Sequence, residues 1–171
     1  SYEAALKSIE RIAKPSAQIM EAKQKILFQL GTQSFANANF EQALQYLNQS
    51  IAIGQYNRQT KADAYYWCGE SYYRLNRMME AARDFNAYLQ LTTQPNNEMY
   101  ALANYNLGYI AFHRKDYTQA SNYFQKYIQL EKGENRTALA DAYNRIGDCH
   151  LNVRNFEDAK HYYSQAEQMN T

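Results

Sequence analysis

A chain of 171 residues in which 18 Lys+Arg face 17 Asp+Glu has no charge excess with which to hold a nucleic acid or a membrane surface. No run approaches the roughly 20 apolar residues of a membrane-spanning helix, and Ser1-Tyr2-Glu3 carries neither the basic nor the apolar region of a signal peptide. Cys68 and Cys149 are too few for a disulfide framework and match neither a CxxC site nor a zinc-ligand set.

Only 6 Gly and 2 Pro stand beside 17 Tyr, so breakers are scarce and the chain reads as long helices with short connections. From the N-terminus, Tyr2, Ala5 and Ile9 mark one apolar helix face. Leu30-Gly31 then opens a pattern that returns at Cys68-Gly69, Leu107-Gly108 and Ile146-Gly147, at intervals of 38, 39 and 39 residues. Twelve residues after each glycine stands an alanine (Ala43, Ala81, Ala120, Ala159), and four residues further a large group (Leu47, Phe85, Phe124, Tyr163). Glycine and alanine are small where two helices of a hairpin approach closely, and the larger residues fill the space beside them.

The second helix of each hairpin starts in the same phase. Asn39, Asp116 and Asn155 lie four residues before the alanine, where a short polar side chain caps free amides, and Gln42 and Gln119 complete capping boxes. Arg77 holds this place in the second repeat, which predicts a weak cap there. Phe40, Met78, Tyr117 and Phe156 follow as apolar clamps at the hairpin corner.

This pattern resembles the tetratricopeptide repeat, W-x2-L-G-x2-Y, then A-x3-F, then P. The second repeat carries it best, in Tyr65, Cys68, Gly69, Tyr72, Ala81, Phe85 and Pro95. The resemblance implies an all-α, right-handed superhelical solenoid of antiparallel helix hairpins, about four and a half repeats over one domain, 1–171. The divisions are a half repeat at 1–15, then 16–57, 58–95, 96–134 and 135–171, excised from a longer array. The period exceeds the usual 34 residues, and the extra residues at Arg58 to Lys61, Asn96 to Tyr100 and Asn135 to Leu139 are expected to lengthen each first helix. Tyr163, Ala166 and Met169 are expected to leave an apolar stripe open on the last helix.

In this family the first helices line a concave groove. Transferring the groove places residue by residue gives Phe28 and Phe35 in the first full repeat and Tyr66, Glu70, Tyr73 and Arg74 in the second. The third gives Tyr105, Tyr109, Phe112 and His113, and the fourth Asn144 and Asp148, beside Asp141. The groove is therefore expected to be aromatic in its first three repeats and acidic in its last. Tyrosine suits such a surface because it offers rigid area and a hydroxyl at low entropy cost.

The family also implies a scaffold or adaptor for a protein or peptide partner, with no cofactor, no metal and no direct membrane insertion. A self-associating spacer and a peptide-sensing regulatory domain are the alternatives, self-association running through exposed end repeats. Long repeats of this kind resemble two bacterial groups, periplasmic envelope proteins and peptide-sensing cytoplasmic regulators, with the envelope or periplasm expected ahead of the cytoplasm. Phe28 and Thr32 stand where a clamp for acidic chaperone tails would need Lys and Asn, so that partner is not expected. Asp148-Cys149-His150 is the one reactive-looking cluster, but neighbours on a helix point about 100° apart and do not converge on one atom. No phosphate loop, HExxH or G-x-S-x-G is present, which reads as no enzyme.

Overall fold

The computed structural model describes residues 1–54, 56–95 and 97–170, and every regular element among them is an α-helix. Two compact units divide the chain, Ser1–Thr93 and Gln94–Thr171. The first contains α1 (Tyr2–Glu10), α2 (Ala17–Ala36), α3 (Phe40–Ile53), α4 (Arg58–Arg74) and α5 (Met78–Leu91). The second contains α6 (Glu98–His113), α7 (Tyr117–Leu130), α8 (Arg136–Asn152) and α9 (Phe156–Met169). Helices pair as antiparallel hairpins, α2 with α3 and α4 with α5 in one unit, α6 with α7 and α8 with α9 in the other. Within each unit the second helix of one hairpin also packs on the first helix of the next, α3 on α4 and α7 on α8. This is the all-α solenoid of paired helices that the repeat implies.

The recurring glycine has one packing role in all four hairpins. A Cβ placed on Gly69 would lie 2.8 Å from the ring of Phe85, and one on Gly108 would lie 2.9 Å from the ring of Phe124. At Gly31 the clash is with Leu47 at 2.5 Å, and at Gly147 with the ring of Tyr163 at 2.7 Å. The residue sixteen places on therefore rests directly on the glycine backbone. Close approach is made between a side chain and a backbone, and Phe85, Phe124 and Leu47 are fully buried as a result. The alanines of the pattern are buried too, from Ala43 to Ala159.

The corner between the two helices of a hairpin also repeats. Ala38, Asn76, Lys115 and Arg154 all have φ between 60° and 64°. Each is followed by an amide that reaches back five residues: Asn39 N–H to Ser34 O at 2.8 Å, Arg77 to Tyr72 at 2.8 Å, Asp116 to Ala111 at 2.9 Å and Asn155 to His150 at 2.8 Å. This is a Schellman closure made without glycine, so each corner carries about 1–2 kcal/mol of left-handed backbone cost. The residue after the corner is the N-cap of the next helix, so one turn ends α2 and starts α3, and the same holds at each repeat.

The caps follow the sequence reading with two corrections, the first being that Gln42 and Gln119 complete no capping box, because the Asn39 and Asp116 amides donate to Ser34 O and Ala111 O instead. Asn39 accepts from Gln42 N–H and Asp116 from Gln119 N–H, while Arg77 makes no side-chain cap bond and pairs instead with Glu80 at 2.6 Å. Asn155, expected to cap α9, does not bond its backbone, because its amide donates to Asp158 at 2.7 Å. The residues beyond the usual period, Arg58 to Lys61 and Arg136 to Leu139, form the first turns of α4 and α8, and Glu98 to Tyr100 do so in α6; Asn96 lies outside the described residues. Arg58 donates to Leu91 O at 3.2 Å, and Arg136 to Met169 O at 3.1 Å, placing a cation at the C-terminal end of the paired helix.

The apolar stripe expected on the last helix is mostly covered. Ala166 is buried, while Tyr163 lies over Gly147 and Met169 packs against the core of the second unit. The large exposed apolar groups of this hairpin are instead at its corner: Leu151 at 46%, Val153 at 57% and Phe156 at 57%.

Candidate partner-binding surface

In the first unit, α2 and α4 carry the expected groove residues. Phe28 is half-buried. Phe35 packs edge-on against Phe40 at 5.2 Å and against Trp67 of α4 at 5.0 Å. The Arg74 guanidinium, exposed, lies 5.4 Å from the Phe35 ring centre and 5.9 Å from that of Phe40. An aromatic corner with a cation above it is thus presented at the end of α2.

Tyr66 departs from the expectation. Only 3% exposed, it packs inside the α4–α5 hairpin against Phe85 at 5.7 Å and Tyr88 at 5.3 Å, and donates its hydroxyl to Glu70 at 3.1 Å. Its ring turns inward because α5 offers two aromatic neighbours there, so Tyr66 is a packing residue and not a contact surface. Glu70 and Tyr73 stay half-buried, and burial followed by the charge of Glu70 pushes the Tyr73 phenol up.

The second unit assembles its candidates into one network. Tyr105 and Tyr109, one turn apart on α6, both donate their hydroxyls to the same Asp141 oxygen on α8. Arg145 stands between the two carboxylates of α8, 3.8 Å from Asp141 and 3.2 Å from Asp148. Tyr163 of α9 closes the chain by donating to Asp148 at 2.5 Å. Burial, then the bond to Asp141, pushes the Tyr109 phenol up to about 12 and Tyr105 further. Tyr163 is likewise raised to about 12, by burial and then its bond to Asp148.

The acidic end expected of the groove is therefore not a set of free carboxylates. Asp141 and Asp148 accept from three phenols, and the one guanidinium beside them opposes their charge. Phe112 packs edge-on against Tyr117 at 5.8 Å and against His113 at 6.0 Å, and His113 itself is exposed. Asn144 is half-buried on α8. Arg145 and Tyr163 complete the network but were not among the sequence candidates. The i, i+4 and i, i+3 spacing of Arg145 from Asp141 and Asp148 was the available signal.

The Asp148-Cys149-His150 cluster points three ways. Asp148 faces Tyr163, Cys149 is buried with its thiol pushed up to about 11 by burial, and His150 stacks on Tyr162 at 5.3 Å. Cys68 is fully buried, its thiol raised by burial, so neither free cysteine has the depressed pKa of a nucleophile. Among the described residues no group of three or more His, Cys, Asp or Glu could hold a metal ion, and no helix is long and apolar enough to cross a membrane.

Two family models, both described as tetratricopeptide repeat, match residues 28–98 and 98–171. The chain belongs to the tetratricopeptide repeat family. Its repeats are non-catalytic scaffolds of protein–protein interaction. A crystal structure of MamA is similar at TM-score 0.70 and 19% identity, over 99% of this chain and 88% of that one. BtubC (BKLC) from P. vanneervenii is similar at TM-score 0.75 and 14% identity, over 99% and 70%. The apo form of RapI follows at TM-score 0.73 and 13% identity, over 98% of this chain and 61% of RapI. At these identities the likeness is one of fold. No curated protein sequence matches the chain.

Proposed function

We propose that this repeat domain holds a peptide or helix of a partner protein against the exposed faces of its first helices, α2 and α4 in one unit and α6 and α8 in the other. The observation that carries the reading is the network of Tyr105, Tyr109, Asp141, Arg145, Asp148 and Tyr163. It ties α6, α8 and α9 together and leaves Phe112 and exposed His113 beside it, so a partner meets a surface whose side chains are already ordered. Pre-ordering lowers the entropy cost of association. In the first unit Phe35, Phe40 and Arg74 supply a comparable aromatic corner with a cation over it.

Affinity capture with the domain, followed by titration of the purified partner against variants, tests the proposal. Phe112→Ala, Arg74→Ala and Arg145→Ala are expected to weaken binding about tenfold or more, as central aromatic and arginine contacts do. Met79→Ala, on the exposed side of α5, is expected to leave affinity unchanged. Equal affinities for all four variants would overturn the reading.

A second reading, self-association, has its own support in the exposed Leu151, Val153 and Phe156 at the corner of the last hairpin. Sedimentation at increasing concentration separates the two, because Phe156→Asp would abolish self-association and leave partner capture intact.

A further inference from the structure

A cavity of about 630 Å³ opens in the second unit where the first turn of α6, the end of α7 and the start of α8 meet. Its volume lies in the range of ligand sites, far above the space of a single water. The α2–α3 hairpin shows one way of filling the equivalent place, which alanine holds in the other three repeats (Ala62, Ala101, Ala140). Repeat register sets Gln24 of α2 against Ala101 of α6, and Gln24 is fully buried. Its side-chain amide donates to Gly54 O at 3.4 Å and Asn57 O at 3.1 Å, and its carbonyl accepts from Asn57 N–H at 3.0 Å. A carboxamide thus plugs the gap between the end of α3 and the start of α4.

At Ala101, only 4% exposed, a methyl group stands in place of that plug and reaches none of these partners. The loop amides that Gln24 would satisfy are already served from inside, since Glu131 accepts from Glu134 N–H at 3.1 Å and Asn135 N–H at 3.3 Å. The other Glu131 oxygen accepts from Tyr127 at 3.4 Å. What the cavity keeps on offer is therefore acceptors and negative charge. Glu98 lines it, and its counterpart Glu21 accepts from the Asn57 side chain at 3.3 Å. Glu134 adds a second carboxylate to the same wall, and Glu131 adds negative charge although both its oxygens are engaged. Two cations, Lys132 and Arg136, stand against these three carboxylates, and Arg136 is turned to the carbonyls of Met169 and Gln168, so the lining keeps a net negative charge. Leu102 and Tyr127 give an apolar wall against which an alkyl stem can lie.

We propose that this cavity receives the cationic side chain, arginine or lysine, of a bound polypeptide, its donor-only head group taking the place that the Gln24 amide fills in the first unit. The proposal does not depend on the helix faces described above, because the cavity is a separate site at the hairpin ends.

The test is an NMR titration with Nα-acetyl-arginine N-methylamide, with the neutral acetyl-citrulline analogue as control. Saturable shifts at the Ala101 methyl and the Glu98 and Leu102 amides are expected with the arginine compound, and much weaker ones with citrulline. Ala101→Gln should abolish them and raise the melting temperature, because the new amide closes the cavity from within. Glu98→Gln should weaken binding about tenfold, the difference between a charge-assisted and a neutral hydrogen bond. No saturable shift at tens of millimolar probe, equal binding of citrulline, or unchanged affinity in both variants would each overturn the proposal. Loss of arginine binding in Ala101→Gln with partner capture retained would separate this site from the helix-face surface.

Discussion

Replacing Gly69 with alanine sets two known effects against each other. A helix interior gains about 1 kcal/mol on going from glycine to alanine. The new Cβ, however, would stand 2.8 Å from two atoms of the Phe85 ring, closer than carbon atoms pack, and that ring is fully buried with no free direction in which to turn. Overpacking of this kind costs about 1–3 kcal/mol, so the net change is a destabilisation of up to about 2 kcal/mol. In a domain of this size that lowers the melting temperature by about 2–4 °C per kcal/mol. The decisive assay is a double-mutant cycle followed by circular dichroism. Phe85→Ala removes the ring at a cost of about 3–5 kcal/mol, and in that background Gly69→Ala should become stabilising by about 1 kcal/mol. If Gly69→Ala stabilises the wild-type protein as much as the Phe85→Ala variant, the glycine is not held small by the ring.

Other outcomes follow from the same contacts. Lys115→Gly should raise stability by about 1 kcal/mol in urea melts, because it relieves a left-handed residue at φ 64°, while Lys115→Val should lower it. Tyr66→Ala should destabilise by about 3–5 kcal/mol, as loss of a buried packing ring does. A melt as stable as wild type would return Tyr66 to the surface. Asp141→Ala leaves two phenols without their acceptor and should cost more, by chemical denaturation, than Tyr105→Phe and Tyr109→Phe, each of which should cost about 0.5–1.5 kcal/mol. Tyr109 and Tyr163 are held at about 12 in the fold against an ordinary value of about 10, so the fold favours the protonated phenols. Their contribution is complete below about pH 10 and is lost as pH rises through about 12, which thermal melts in alkaline buffers would show.

The hairpins were legible in the sequence because their main constraint is volume. Gly31, Gly69, Gly108 and Gly147 record the places where a large side chain lies on a backbone, and only the smallest residue fits there. The corners were not legible, since alanine, lysine and arginine at Ala38, Lys115 and Arg154 give no sign of a positive φ. They are held by the local Schellman hydrogen bond, and only at Asn76 does residue preference favour the left-handed turn. The family register identified the helix faces but not the direction of each ring, so Tyr66 was placed outward although Phe85 and Tyr88 draw it inward. The network on Asp141 joins residues 32 and 36 apart on neighbouring helices, a pairing that no local spacing reveals. The cavity beside Ala101 has no signature in the sequence, because alanine holds this place in three of the four repeats and only Gln24 fills it with a carboxamide.

The packing of each large side chain on its glycine can be observed directly by isotope-edited NOE spectroscopy. Cross-peaks are predicted from the Hα protons of Gly31 to Leu47 methyls, Gly69 to the Phe85 ring, Gly108 to the Phe124 ring and Gly147 to the Tyr163 ring, all at close range. Absence of these four contacts in a folded sample would contradict the account at its foundation.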